Sequence, residues 1–260
     1  MILYQQHGLI IRYNLFKADI TTKEGIREKT PGFDSVNRNH YYRNHFEWPF
    51  PQSRIGDGMP LITNIGRYTI EENLMDGAGW YIHMDSAESG RLEDFIVRHN
   101  TGPNRRIFES GIGSGPLRFS NASIYNNLSF EPVNDILMLW AQSSGQPVFP
   151  TDPVYSGWNA TDQPNYNGWV VPNVGNAIVR NQYPLLDRTF AQWQGLGYDV
   201  NSTLTTVDPF VDSAGGDWRI AAGSWAETAG RVGGVSGGAQ VELGCFANEY
   251  WLPYVGRSPM

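Results

Sequence analysis

A short phrase that ends in asparagine recurs along this chain, and it constrains the fold more than any other feature. Each copy has an apolar residue, a spacer and a second apolar residue, followed by two residues and Asn. The copies cover residues 9–14, 68–73, 95–100 and 122–127, with a weaker one at 154–159. Their asparagines are Asn14, Asn73, Asn100, Asn127 and Asn159, spaced by 59, 27, 27 and 32 residues. A period of roughly 20 to 50 residues is typical of repeat architectures.

The repeated unit is predicted to be a β-strand that turns at its asparagine. Alternating apolar residues give the strand one face to bury. Asn tolerates a left-handed backbone, and asparagines stacked at the strand spacing of about 4.8 Å can form a hydrogen-bonded ladder. Second strands are predicted at 79–84, 105–108 and 135–140. We therefore expect an all-β, right-handed parallel β-helix, a solenoid with long loop insertions. The alternative is a β-sandwich with Asn in its turns, built from antiparallel hairpins.

The domain organisation follows from the intervals. We expect the β-helix over residues 1–184 and an irregular closing module and tail over 185–260. The first interval of 59 residues indicates an insertion at about 17–58, in which 21–29 is a short helix or a loop. The aromatic run 39–51 holds two prolines within three residues, which argues against a regular strand. It is predicted to be an exposed loop, or else its rings pack back onto the β-helix. Helical spacing near 185–200 predicts a short helix ending at Gly195 or Gly197.

Composition and charge exclude several classes of function. The net charge is −7, which argues against a nucleic-acid partner. No apolar run approaches 18 residues and no signal peptide is visible, so neither a membrane span nor a cleaved leader is predicted. The single cysteine, Cys245, is expected to be a small buried residue. With 9 Trp and 13 Tyr, some aromatic side chains are expected on a surface that binds sugar or protein.

The first copy of the repeat lies close to the N-terminus. The end of a solenoid exposes apolar core and unpaired strand edges. We therefore expect this end to be covered by a folded-back insertion or by another chain.

A series of motifs begins at Phe190. It comprises Phe-Ala-Gln-Trp at 190–193, Gly-Tyr-Asp-Val-Asn-Ser at 197–202, Asp-Pro-Phe-Val-Asp at 208–212, Gly-Gly-Asp-Trp-Arg-Ile at 215–220 and Val-Glu-Leu-Gly-Cys-Phe at 241–246. With the Asn repeats before it, over about 60–246, the chain resembles right-handed parallel β-helix proteins of the pectate-lyase-like superfamily. The resemblance implies the fold and leaves the function open. Such proteins include polysaccharide lyases, glycoside hydrolases, epimerases, bacterial surface proteins and phage tail or capsid proteins.

No catalytic constellation emerges from the polar residues. A lyase needs a basic residue near acidic groups, and a hydrolase needs two carboxylates about 5–9.5 Å apart. The positions two before each Asn hold Arg12, Glu71, Arg98, Tyr125 and Gly157. This pattern indicates cross-strand charge pairing on a solvated face. Arg98 with Glu71, and also Arg105, are the residues to examine for chemistry.

No metal or cofactor site is predicted. His40 and His45 lack the spacing of zinc ligands. Asp208, Asp212 and Asp217 have the look of a calcium cluster, but Asp-Pro and Gly-Gly-Asp are turn-forming pairs, so turns are expected there.

Two functions are carried forward. The first is a non-catalytic structural or recognition subunit of a larger assembly, for which a phage virion component, in capsid decoration or the tail, is the specific expectation. Its partners would be copies of itself or capsid and tail proteins, with no nucleic acid and no membrane, in a virion or outside the cell. The second is an extracellular polysaccharide lyase or glycoside hydrolase, or a carbohydrate-binding remnant of one. The predicted interface or sugar-binding residues are Tyr41, Tyr42, His45, Phe46, Trp48, Phe50, Tyr250 and Trp251.

Overall fold

The computed structural model describes residues 2–4, 8–17, 24–29, 38–47, 59–62, 67–76, 82–84, 91–93, 96–102, 108–110, 118–120, 123–130, 135–141, 164–181 and 187–245. These residues form an all-β structure with one α-helix, α1 (Phe190–Gly195). The strands in chain order are β1 (Ile2–Tyr4), β2 (Ile10–Arg12), β3 (Leu15–Lys17), β4 (Glu24–Lys29), β5 (Arg38–Tyr42), β6 (His45–Glu47), β7 (Met59–Ile62), β8 (Arg67–Glu71), β9 (Leu74–Asp76), β10 (Ile82–Met84), β11 (Arg91–Glu93), β12 (Ile96–Arg98), β13 (Phe108–Ser110), β14 (Arg118–Ser120), β15 (Ser123–Tyr125), β16 (Leu128–Phe130), β17 (Asp135–Ala141), β18 (Gly168–Val170), β19 (Ile178–Asn181), β20 (Arg188–Thr189), β21 (Thr203–Thr205), β22 (Phe210–Asp212), β23 (Asp217–Ile220), β24 (Gly230–Arg231) and β25 (Gln240–Val241).

Sheet I contains five parallel strands in the order β15-β12-β8-β5-β2. Because side chains alternate along a strand, the next-to-last positions of these five strands, which are in register, share one face. Those positions hold Ile11, Tyr41, Ile70, Val97 and Ile124, all in register and all buried. This stack forms one wall of the core, as the apolar alternation of the repeat predicts.

Sheet II runs beside sheet I and is also parallel. It contains β3-β6-β9 and β16-β18-β21, and Thr101 joins the two groups through bridges to Leu74 and Leu128. The remaining parallel strands pair as β1-β4-β7, as β11-β14 and as β10-β13-β17-β19. Antiparallel pairing in the described part of the chain is limited to β19–β20, β22–β23 and β24–β25. The hairpins that a β-sandwich requires are therefore absent from the repeats, and the architecture is compatible with a parallel β-helix.

Two residues connect each strand of sheet I to sheet II. The first has a left-handed backbone with φ between 52° and 57°, and the second is the ladder asparagine or its equivalent. The left-handed residues are Tyr13, Arg43, Glu72, His99, Asn126 and Tyr166. The expectation that Asn itself adopts this conformation is therefore wrong. The preceding residue turns the chain, and the turn points the Asn side chain inward.

We call these strand–turn–strand units the ladder repeats. There are six among the described residues, at 10–17, 38–47, 67–76, 96–102, 123–130 and 164–170. Their asparagines are Asn14, Asn44, Asn73, Asn100, Asn127 and Asn167, and each amide nitrogen donates to the oxygen of the next at 2.9–3.1 Å. The predicted ladder is confirmed for Asn14, Asn73, Asn100 and Asn127. Asn127 is followed by Asn167, so the weaker copy ending at Asn159 does not supply that rung, and Asn159 lies outside the described residues.

The predicted insertion at 17–58 is wrong, because its described residues form strands of the regular sheets. Strand β4 pairs with β1 and β7, so 24–29 is neither helix nor loop. Strands β5 and β6 contribute the second ladder repeat, with Asn44 as its rung. The repeat escapes the sequence pattern because Asn39 occupies an apolar position. Asn39 is buried, and its side-chain oxygen accepts the N–H of Leu9 at 2.9 Å.

Residues 206–245, which we call the closing segment, fold back over the outer face of sheet II. Its residues Phe210, Trp218, Ala226, Leu243 and Cys245 form one buried cluster with Leu74 and Leu128. The ring of Trp218 stacks on Phe130 at 4.3 Å. The predicted short helix is confirmed as α1, and the reciprocal Thr189–Gln192 capping box accounts for its start. The boundary near 184 stays a prediction, although β21 beyond it continues sheet II.

Candidate functional site

The outer face of sheet I carries a row of polar side chains two positions before each ladder asparagine. The row reads Arg12, Tyr42, Glu71, Arg98, Tyr125. Arg98 donates to Glu71 through Nε at 2.5 Å and to the Tyr125 hydroxyl at 3.0 Å. The His40 ring nitrogen Nε2 lies 2.7 Å from the other Glu71 oxygen. The predicted Arg98–Glu71 pair is thus present as a cross-strand ion pair.

The electrostatics of this pair do not suit proton transfer. Burial alone raises the pKa of the Glu71 carboxyl, but the hydrogen bonds from His40 and Arg98 outweigh it and lower the pKa to about 2. Burial alone lowers the pKa of Arg98, but the bonds to Tyr125 and Glu71 raise it above its ordinary value. A general base needs a pKa near the working pH. Both side chains remain charged and paired at neutral pH, so neither is poised to accept a proton.

The asparagine ladder has a direction, and this direction makes its two ends chemically different. In each rung from Asn14 to Asn127, the backbone N–H and the side-chain N–H donate to the side-chain oxygen of the next asparagine downstream, that is, toward the C-terminus. Each asparagine oxygen therefore accepts from the rung upstream of it. At the downstream end, the side-chain N–H of the last asparagine needs an acceptor that is not an asparagine of the ladder. At the upstream end, the side-chain oxygen of the first asparagine has no earlier rung to donate to it.

Asp199 finishes the ladder at the downstream end. Its carboxylate accepts from Asn167 at 3.0 Å, from Ser202 at 2.5 Å and from Trp193 Nε1 at 2.9 Å. Burial raises the pKa of Asp199, and these three donors partly oppose the rise. A carboxylate suits this position because it accepts hydrogen bonds without having to donate one. The downstream end of the ladder is therefore closed within the chain.

At the upstream end, the corresponding acceptor has no donor among the described residues. Asn14 donates to Asn44 and to the carbonyl of Arg12, but no described residue donates to the Asn14 side-chain oxygen. Strands β1, β2 and β3 are the outer strands of their described sheets at this same end. Asn14 is exposed, whereas the five asparagines downstream of it are buried.

Apolar side chains are also exposed at the upstream end. Ile10 is 60% exposed and Leu15 is 53% exposed. Leu15 stands in the row of sheet II that continues through His45 to Leu74, which is fully buried under the closing segment. The difference arises because the buried cluster of the closing segment reaches back along this row only as far as Leu74. We call the surface formed by Ile10, Arg12, Asn14 and Leu15 the upstream end.

The predicted interface residues that the structure describes are not brought together at one surface. Tyr41 and Phe46 are fully buried in the core, as in the alternative in which the rings pack inward. Tyr42 and His45 are partly buried, and Tyr42 accepts a hydrogen bond from Arg12. Trp48, Phe50, Tyr250, Trp251 and Arg105 lie outside the described residues.

The aspartates of the closing segment serve its turns. Asp208 accepts from the Phe210 N–H and from the Ser213 hydroxyl, and Asp212 accepts from the Gly215 N–H. Asp217 pairs with Arg219. Within the described ranges, no group of three His, Cys, Asp or Glu side chains could hold a metal ion.

Sequence reasoning missed Asn44, Asn167 and Asp199 as parts of the ladder, and Arg12 as a residue of its exposed end. A search for Asn preceded by an apolar residue three positions earlier would have found Asn44 through Tyr41. Asp199 carries no such signal, because its role depends on donors that the fold brings to it from Asn167 and Trp193.

Comparison of this chain with protein-family models, with curated proteins and with solved structures finds no match. In the part of the chain that the structure describes, no helix has the length and apolar character needed to cross a membrane.

Proposed function

We propose that this chain is a parallel β-helix that serves as a non-catalytic structural or recognition subunit of a larger assembly and docks through its upstream end. The single observation that carries the proposal is the exposure of side chains in the ladder repeat at 10–17. Exposed Ile10 and Leu15 lie on the outermost described strands of their sheets, beside the Asn14 oxygen, to which no described residue donates. Exposed apolar side chains beside unpaired strand edges are the surfaces that other chains recognise.

The setting we propose is a phage virion, in capsid decoration or the tail. Support comes from the resemblance of the repeats and closing motifs to a superfamily that includes such proteins. The net charge of −7 fits a protein partner better than the nucleic acid inside a virion. An extracellular assembly is the other setting in which the same docking end would operate.

A polysaccharide lyase or glycoside hydrolase is the second candidate, favoured by the 2.5 Å contact between Arg98 and Glu71. That contact joins two groups that are already paired, and His40 occupies the second Glu71 oxygen. Incubation with acidic polysaccharides, followed by the absorbance of unsaturated products, tests this candidate. Turnover that Arg98→Ala abolishes would replace the subunit proposal.

Light scattering of the purified chain tests the subunit role. We expect non-specific, concentration-dependent association of the isolated chain without a discrete dimer, because the upstream end leaves apolar side chains in water. The double variant Ile10→Lys, Leu15→Lys should remain a monomer. The matched control is Val207→Lys, Val211→Lys, since these valines are 58% and 51% exposed but lie in the closing segment. The control should associate like the original chain. A chain that is a stable monomer at all concentrations would overturn the proposal.

A further inference from the structure

We infer that the upstream end binds the terminal strand–turn–strand repeat of a different protein chain, one that donates an amide N–H to Asn14 and places a carboxylate against Arg12. This inference rests on the proposed subunit role and adds the chemistry of the partner. It follows from the direction of the ladder, from the charges along the outer row of sheet I, and from the mismatch between two copies of the same end.

The ladder direction specifies a donor. Downstream of Asn14, each asparagine oxygen in the ladder accepts two N–H groups from the rung before it, one from the backbone and one from the side chain. Asn73, for example, gives both to Asn100, at 3.0 and 2.9 Å. The Asn14 oxygen occupies the same position in its repeat and receives neither from any described residue. A partner that continues the pattern must therefore present an asparagine or an equivalent N–H pair.

The outer row of sheet I specifies an acid. Arg98 and Arg12 occupy the same position in their repeats, two residues before the ladder asparagine. Arg98 has Glu71 on its upstream side, in register and bound at 2.5 Å. Arg12 has its hydrogen bond on the downstream side, to the Tyr42 hydroxyl. The upstream side of Arg12 faces the position that a repeat added to this end would fill. At the corresponding position beside Arg98, the chain has the carboxylate of Glu71.

Arg12 also differs from Arg43, the turn residue of the next ladder repeat. Arg43 is paired with Glu72. The guanidinium of Arg12 lies 5.9 and 5.7 Å from the ring centres of Tyr13 and Tyr42, and no described carboxylate pairs with it. The rings hold the guanidinium at the edge of the sheet, where a carboxylate of an added strand can reach it.

A second copy of this chain does not satisfy the upstream end. Two upstream ends facing each other would bring two unfilled acceptors and two like charges together. The downstream end of another copy presents Asp199, an acceptor whose three donors come from its own chain. Neither arrangement supplies the missing N–H groups. The chemistry therefore favours an unlike partner, which adds its strands in parallel register to β2 and β3.

The chain itself contains a probe with the required chemistry. Residues 67–76 place Glu71 and Asn73 against the repeat that holds Arg98 and Asn100. A synthetic peptide of this sequence should therefore place the same groups against Arg12 and Asn14. The full chain, labelled with nitrogen-15, is titrated with this peptide, and the amide resonances of residues 8–17 are followed by NMR.

We expect saturable shifts concentrated at residues 8–17. Peptides carrying Glu71→Lys or Asn73→Ala should bind more weakly, by about two- to fivefold for the exposed charge pair. The decisive arm is a charge swap. The protein variant Arg12→Glu should bind the original peptide more weakly and should regain affinity for the Glu71→Lys peptide, which a purely structural effect of the substitution would not produce.

Each outcome bears on the inference. Shifts with the expected charge swap support it. Shifts at residues 8–17 that ignore both peptide substitutions would overturn the partner chemistry and leave the docking role supported. No shifts would overturn the inference, and the light-scattering result would then decide the subunit role independently. A discrete dimer of this chain formed through residues 8–17 would also overturn it, because the partner would then be a second copy.

Discussion

Asn100 makes five hydrogen-bond contacts from one buried side chain. Its nitrogen donates to the carbonyls of Ile70 and Arg98 and to the Asn127 oxygen, and its own oxygen accepts two N–H groups of Asn73. Turns of the backbone leave polar groups that water cannot reach in the interior, and these contacts satisfy them. Each ladder asparagine therefore supplies hydrogen bonds to polar backbone groups that the fold buries.

Replacing a buried rung should cost far more than replacing the exposed one. Asn100→Ala removes the acceptor of the buried Asn73 backbone N–H and a donor to the Ile70 carbonyl, so we expect a loss of about 3 kcal/mol in the free energy of unfolding. Asn14→Ala is the matched control, because it removes the same side chain from an exposed position, and its expected loss is about 1 kcal/mol or less. Urea denaturation measures both. Equal losses would contradict the view that burial gives the ladder its value.

Glu71 should make stability depend on pH in the acid range. Its pKa is about 2 in the folded chain and 4.5 ordinarily, so the unfolded chain binds the proton first as pH falls. Its contribution is complete above pH 4.5 and is lost as the pH approaches 2. We expect a loss of about 1 to 2 kcal/mol, below the full shift because Arg98 is partly exposed.

Denaturation curves at several pH values, for the original chain and Glu71→Gln, isolate this contribution. The difference between the two should shrink from pH 5 towards pH 2, since the variant has no proton to gain there. Burial, and then the Arg98 charge, lower the pKa of His99 from 6.5, while the charges of Glu72 and Glu71 oppose the shift. The contribution of His99 to stability therefore begins to fall away below pH 6.5. A difference that stays constant with pH would show that the carboxylate charge contributes nothing.

The closing segment acts on sheet II at the scale of the element. It returns to the sheet at Gly244 and Cys245, whose N–H groups donate to the Asn126 carbonyl and to the Thr101 hydroxyl, both at 2.9 Å. Gly244 has φ +80°, and a Cβ there would lie 2.4 Å from the Thr101 oxygen. The close approach seals Cys245, and burial raises the pKa of its thiol.

Gly244→Ala should lift the end of the closing segment from the sheet. We expect Cys245, fully buried in the original chain, to react measurably faster with a thiol reagent in the variant, because the added methyl group collides with Thr101. Gly237→Ala is the matched control, since Gly237 has φ +85° but nothing within 4 Å of the added carbon. Both variants share the backbone strain, so equal reactivity would show that the close approach is unimportant.

The whole molecule has two unlike ends. Downstream, Asp199, Ser202 and Trp193 complete the ladder, and α1 lies beside them. Upstream, the outermost described strands and an exposed asparagine lie beside exposed Ile10 and Leu15. A further repeat could therefore extend the ladder at the upstream end but not at the downstream end. This asymmetry underlies both the proposed docking role and the choice of an unlike partner.

Much of this arrangement was accessible from the sequence, and the errors have physical causes. Four of the five predicted rungs were confirmed, because a buried asparagine after an alternating apolar pattern is a local signal. Asn44 was missed where the buried Asn39 replaced an apolar residue and used its own side chain to satisfy Leu9. For Tyr41 and Phe46 the sequence left an exposed loop and inward packing both open, and the structure places both in the core. Aromatic content alone does not tell which face a strand buries.

The sequence by itself determined the strand period, the parallel stacking, the asparagine ladder and the short helix after Thr189. Each depends on residues close together in the chain or repeated at a regular interval. Only the tertiary structure decided that Asp199 ends the ladder and that the closing segment covers Leu74 and Leu128. It also decided that, among the described residues, no donor reaches the Asn14 oxygen and no carboxylate pairs with Arg12. These features depend on which distant groups meet, and an acceptor without a donor can be recognised only when its neighbours in space are known.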